Sequence, residues 1–386
     1  MNTLASRPAP DRADFIDRLR VTLTALVITH HAAITYGASG GWFYREVADD
    51  GSPSSLLLTL LTAVNQSFFM GMFFLLAGYF TPGSWRRKGG TRFLGDRLVR
   101  LGVPLLAFGF VLGPMSLALT GLPAGKPVFE PWLAMMAEGA FVKAQLWGML
   151  VGFALALLIF AAGWSVWATL HRPEAPTGEA PAEELPHWPA WLFAALAVGA
   201  AALLLRQVVP VGESVFGLQL GYFASYVFLF ALGCHAARSR WLERVNVKQA
   251  AGWGAVSLLT VPWLFVSASL AGAFEGQSVD FNGGLGGPAV VYAFWEPLVA
   301  WGIIAGLLFG FRTRFNKASE RWRRWNAHAY GAFIVHAPVL VALSVLAAPW
   351  KAPSLVKFGV IAVAAVLASF QVAALLHKIP GAKRII

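Results

Sequence analysis

Residues 18–37 read "RLRVTLTALVITHHAAITYG". Arginines open the run, apolar residues fill most of it, and His30 and His31 stand side by side near its end. A helix rises 1.5 Å per residue, so about 20 residues cross the roughly 30 Å hydrocarbon core of a bilayer. The run is long enough to span, and whether it does so decides the fold. The rest of the chain points to a membrane. It is 57% hydrophobic and only 13% charged over 386 residues, with mean hydropathy +0.62. A soluble domain is nearer a quarter charged.

Nine further stretches have similar length and character: 56–81, 96–120, 143–170, 189–209, 217–237, 249–272, 286–311, 326–348 and 354–377. Together with 18–38 they predict an all-α polytopic bundle of about ten transmembrane helices, a single domain over residues 1–386. The net charge of +11 raises the possibility of nucleic acid, but its distribution excludes it. With the N-terminus in the cytoplasm and sides alternating, 24 Lys and Arg fall inside. Only six fall outside: Arg45, Lys126, Lys143, Arg206, Lys351 and Lys357. That asymmetry is the positive-inside rule, and an even helix count puts both termini in the cytoplasm.

Cys234 is the only cysteine, which excludes an internal disulfide and CxxC redox or metal motifs. No metal site is expected. The first sixteen residues are polar and no small-residue cleavage site follows the first apolar run, so helix 1 reads as an uncleaved anchor. "HRPEAPTGEAPAEELPH" (171–187) is rich in Pro, Ala and Glu and reads as a flexible cytoplasmic linker over about 171–188. "YGASGGWFYREVADDGSPSS" and "GLPAGKPVFEPW" read as ordered caps on the outer side.

Ionisable groups deep in membrane helices are costly and point to function. Counting from Arg20, His31 lies about 16 Å in, and His336 on helix 9 reaches the same depth. Glu296 on helix 8 lies about 15 Å from the outer face, and Asn65 and Gln66 arrive at a similar level. Four helices thus place polar groups in one layer, which predicts a hydrated internal site. For Asn65 and Gln66 an interhelical hydrogen bond is the simpler reading, and a packing role stays open for His336. Neighbouring helical residues diverge by about 100°, so His30 and His31 are not expected to share one cavity. On the inner side, Arg86, Arg87, Lys88, Arg92, Arg97 and Arg100 crowd one turn, with Arg20 near the same plane. Guanidinium groups grip phosphates through paired hydrogen bonds, so a phosphate-bearing ligand from the cytoplasm is expected there.

Together these features resemble the membrane acyltransferase 3 family across most of the chain. Arg20, ten intervening residues and His31 match its R-x10-H signature. "FFMGMFFLLAGYF" (68–80), "RLVRLGVP" (97–104), "YFASYVFLFALGCHAARSRWL" (222–242) and "AYGAFIVHAPVLV" (329–341) resemble its other motifs. "QLWGML" (145–150) departs from the Trp-Phe-Leu run the family often carries there. The compact chain is similar to the branch containing glucan biosynthesis protein C. The resemblance implies transfer of an acyl group, acetyl or succinyl, from cytoplasmic acyl-CoA to a hydroxyl of a carbohydrate or other envelope acceptor. The setting it implies is the bacterial inner membrane. No permanently bound cofactor is implied; acyl-CoA is the donor substrate. His31 takes the motif position as the catalytic base, with Glu296 and His336 as catalytic partners. Arg20, Arg97, Arg100, Arg86 and Arg87 are the donor-binding candidates. A proton-coupled transporter would suit the same polar layer. The absence of a visible internal repeat and the arginine cluster weigh against it.

Overall fold

The computed structural model describes residues 13–137, 149–171 and 184–385, and within them each apolar stretch folds as a helix. The expected linker and the QLWGML stretch lie largely outside the described residues. The long helices are α1 (Asp14–Thr35), α2 (Pro53–Lys88), α3 (Gly90–Leu119), α4 (Met149–His171) and α5 (Trp188–Arg206). They are followed by α6 (Phe223–Ser239), α7 (Val247–Leu270), α8 (Gly287–Arg314), α9 (Glu320–Ala347) and α10 (Ser354–Leu376). No strand occurs among the described residues.

Among the described residues, nine helices are long and apolar enough to cross a membrane, and α1 is the one that falls short. The reason is its polar content, and packing explains how that content is tolerated. Sixteen of its 22 residues are buried, against α2, α8, α9 and α10, so its polar groups face protein. Its first turn is fastened beside the α8–α9 connection. The Phe15 amide donates to Asn316 Oδ1 (3.2 Å) and the Arg18 guanidinium to the Lys317 carbonyl (2.5 Å). Its far end meets the start of α10, where Ser354 Oγ donates to the Tyr36 carbonyl. Hence α1 runs parallel to α9 and crosses the same thickness. Among the described residues the bundle thus has ten long helices, nine of them long and apolar enough to cross a membrane and α1 in its interior.

The central pairs lock through glycine. A Cβ on Gly78 of α2 would lie 2.1 Å from the Phe230 carbonyl of α6, and one on Gly233 would lie 2.2 Å from the Leu75 carbonyl. Small residues let membrane helices approach this closely. The start of α2 is fixed by Ser52, whose Oγ accepts from the Ser55 amide (3.3 Å), with Pro53 at the first helical position. Asn246 and Gln249 form a reciprocal capping box at the start of α7.

The third span is irregular for a reason visible in its sequence. Wide π-helical turns occupy Leu98–Gly102 and Phe108–Leu112, just ahead of Pro104 and Pro114. Proline has no N–H to return to the carbonyl four residues back. Pro104 therefore orphans the Arg100 carbonyl, and the Tyr330 hydroxyl of α9 donates to it (2.7 Å). The repair ties α3 to α9 beside the arginine cluster.

Candidate active site

The site is built from the last turns of α1. His31 stacks on Trp42 with ring centroids 3.8 Å apart and planes within 14°. It also lies parallel to His336 of α9, at 5.3 Å and 15°. Trp42 and His336 are 5.8 Å apart at 12°, so three near-parallel rings form one cluster. His31 and His336, foreseen at the same depth, are in one site. His336 Nδ1 lies 2.6 Å from the Phe333 carbonyl. A carbonyl only accepts, so Nδ1 carries the proton and Nε2 is left as an acceptor with no partner. His31 Nδ1 is likewise buried without a partner.

Trp42 reaches His31 because the 36–52 connection folds back as an ordered cap, as expected. The Arg45 guanidinium donates to the Gly40 (3.1 Å) and Ala38 (2.9 Å) carbonyls. The Glu46 and Val47 amides donate to the Thr35 carbonyl, and Glu46 pairs with buried Lys357. Gly37 and Gly40 adopt φ of +123° and +131°, which side-chain-bearing residues rarely adopt.

A vestibule of about 900 Å³ opens beside this cluster on the side of the 36–52 and 207–222 connections. His30, His31, Trp42, Gln66, Gln219, Tyr222, Asn282 and Tyr292 are among its lining residues. Both histidines therefore face one cavity, which corrects the expectation from their 100° divergence. The vestibule wraps the end of α1 widely enough to meet both, and their rings pack edge to face at 5.2 Å. Gln66 bridges helices, donating to the Tyr226 hydroxyl (3.3 Å), and lines the vestibule as well.

Glu296 stands in a separate group. It pairs with Arg206, both side chains buried. Arg206 Nε donates to the Gly221 carbonyl (3.0 Å). The guanidinium lies 4.9 Å from the Tyr292 ring and 5.7 Å from the Tyr222 ring, both on the vestibule wall. A buried carboxylate needs such a partner. Sequence reasoning missed Arg206 and Lys357 by placing them in outer loops. It also passed over Trp42, Tyr222 and Tyr292. The signal for Arg206 was a lone cation closing the charge-free helix "LFAALAVGAAALLLR".

On the basic side, Arg97 stands in the field of Arg20 and Arg100 and beside Tyr330. Arg20 lies 3.7 Å from Asp17 and over the Phe80 ring at 4.7 Å. Eleven residues are just over three full turns, so Arg20 and His31 share one face of α1. Arg86 and Arg87 are not part of this group. Arg86 lines a cavity between α2, α4 and α6, and Arg87 is exposed and lies back towards Gly83.

Between the arginines and the imidazoles runs an apolar seam. Tyr330 and Phe333 of α9, Pro104, Leu105 and Phe108 of α3, and Phe153 of α4 enclose only about 20 Å³ there. Phe333 lies 5.9 Å from His336, and Phe108 lines both seam and vestibule.

Nine membrane-length helices among the described residues, packed with α1 around a buried imidazole layer that is open on one face and banked with arginine on the other, define a multi-pass membrane protein with an internal site. A family model described as an acyltransferase domain matches residues 13–376, so the chain belongs to the acyltransferase 3 family and is a membrane acyltransferase. The match does not distinguish the glucan biosynthesis branch. No curated protein and no solved structure matches the chain.

Proposed function

We propose that the enzyme moves an acetyl or succinyl group from acyl-CoA on the basic, cytoplasmic side to a hydroxyl in the vestibule. The acceptor is a carbohydrate or another envelope molecule on the outer side of a bacterial inner membrane. The observation that carries this reading is the position of the His31–His336 pair, between the vestibule and the seam that ends at Arg97 and Arg100. Arg20, Arg97 and Arg100 grip the donor phosphates. The pantetheine arm follows the seam, which requires its aromatic rings to part. Tyr222, Tyr292, Gln66, Gln219 and Asn282 offer the mix of rings and amides that suits a hydroxyl-rich acceptor.

The chemistry follows from neutral imidazole. His31 takes the hydroxyl proton as the oxygen attacks the thioester carbon. The C–O bond forms, the C–S bond breaks, and the departing thiolate receives the proton back from the imidazolium. Trp42 holds the His31 ring in register by stacking, and Glu296 acts at a distance by holding Arg206 against the wall tyrosines.

Coenzyme A binding tests the donor side. Coenzyme A should raise the melting temperature of the purified protein in detergent. Arg97→Ala and Arg100→Ala should each weaken that binding by about 1.5–3 kcal/mol, the typical worth of a charge-assisted hydrogen bond. Unchanged affinity in both variants would remove the donor site from this cluster.

A further inference from the structure

Where α2, α4 and α6 meet, a groove of about 800 Å³ runs along the outside of the bundle. Its walls are apolar. Ile159 and Val227 are 47% and 50% exposed, and on helices that cross a bilayer such exposure faces acyl chains. At its basic end stand Arg86 from α2 and Arg238 from α6, both exposed and neither in an ion pair among the described residues. None of the described residues lining the groove is acidic. Trp85, Trp164 and Trp167 stand at the same end. Trp85 is fixed by donating to Ser165 Oγ (3.1 Å), and the rings of Trp164 and Trp167 lie 4.9 Å apart.

Positive-inside topology accounts for arginine at a helix end. It does not account for two arginines from different helices lining the head of one apolar groove with no carboxylate among its described residues. The site is distinct from the imidazole layer, since Phe160 on its wall is followed inward by Phe74, Phe153 and Phe333 before His336 is reached. We propose that this groove holds an anionic glycerophospholipid of the basic-side leaflet, its phosphate between Arg86 and Arg238 and an acyl chain along Phe160 and Val227. Basic pockets between membrane helices recognise anionic headgroups in this way, and tryptophan favours the headgroup level. The lateral opening through Ile159 and Val227 favours a lipid over a water-soluble nucleotide.

Native mass spectrometry of the protein in detergent tests the assignment, with phosphatidylglycerol and phosphatidylcholine of matched chains as probes. The wild type should retain phosphatidylglycerol and exchange phosphatidylcholine. The pair Arg86→Gln and Arg238→Gln should weaken phosphatidylglycerol retention roughly 30-fold, at about fivefold per charge. Lys248→Gln with Arg314→Gln removes equal charge from the same face outside the groove and should leave retention intact. Val227→Trp, which fills the groove with both charges kept, should also release the lipid. Equal retention of the two lipids, equal loss in the control pair, or unchanged retention in Val227→Trp would each overturn the proposal. Displacement of phosphatidylglycerol by coenzyme A would overturn it too, by making the groove a nucleotide site.

Discussion

At His336 the Nδ1 proton is committed to the Phe333 carbonyl, while at His31 the ring is held by stacking alone and borders the vestibule. The two imidazoles therefore differ in freedom, and His31 is the one that can meet a hydroxyl. His31→Ala should lower acyl transfer by about 10²–10⁴-fold while insertion and coenzyme A binding persist. His30→Ala should leave turnover largely intact and raise the acceptor KM, because His30 lines the same cavity without contacting Trp42 or His336 in the ring cluster. Both rates must be measured at matched membrane abundance. An inactive His30 variant beside an active His31 variant would reverse the assignment.

At the scale of elements, the Arg206–Glu296 pair ties α5 to α8 inside the bundle. Removing one partner leaves a buried charge, which typically costs about 3–5 kcal/mol. Arg206→Ala and Glu296→Ala should therefore each lower the melting temperature, and the paired change Arg206→Met with Glu296→Leu should restore most of it. If Glu296→Ala instead kept full stability and lost turnover, Glu296 would act in the chemistry itself. The pair also marks where sequence reading stops. Hydropathy located all ten helices, and a rise of 1.5 Å per residue put His31, His336 and Glu296 at one depth. Depth carries no information about azimuth, so it could not say that His336 meets His31 while Glu296 meets Arg206. The Trp42 contact was equally hidden, because it depends on a cap whose path is set by Gly37, Gly40 and Arg45. The Tyr330–Arg100 bond follows from Pro104 only once the facing helix is known.

For the whole molecule, sidedness is the property on which the reaction depends. The imbalance of 24 to 6 in Lys and Arg requires that reporter fusions within 84–95, 171–188 and 312–324 register as cytoplasmic. An outer signal from 171–188 would break the order of ten crossings. The narrow seam has a second consequence, concerning leakage. A water needs about 10–15 Å³ of free volume, so the roughly 20 Å³ between Phe108, Phe153, Tyr330 and Phe333 admits one molecule and no continuous file. Protons hop along files. A bundle with titratable rings at mid-depth, wetted from one face and charged at the other, would otherwise short-circuit an energised membrane. The phenyl rings act as its insulation. Phe108→Ala with Phe333→Ala should make liposomes carrying the protein lose an imposed pH gradient faster than those carrying the wild type, read with an entrapped pH dye. Equal decay would place the barrier elsewhere in the bundle.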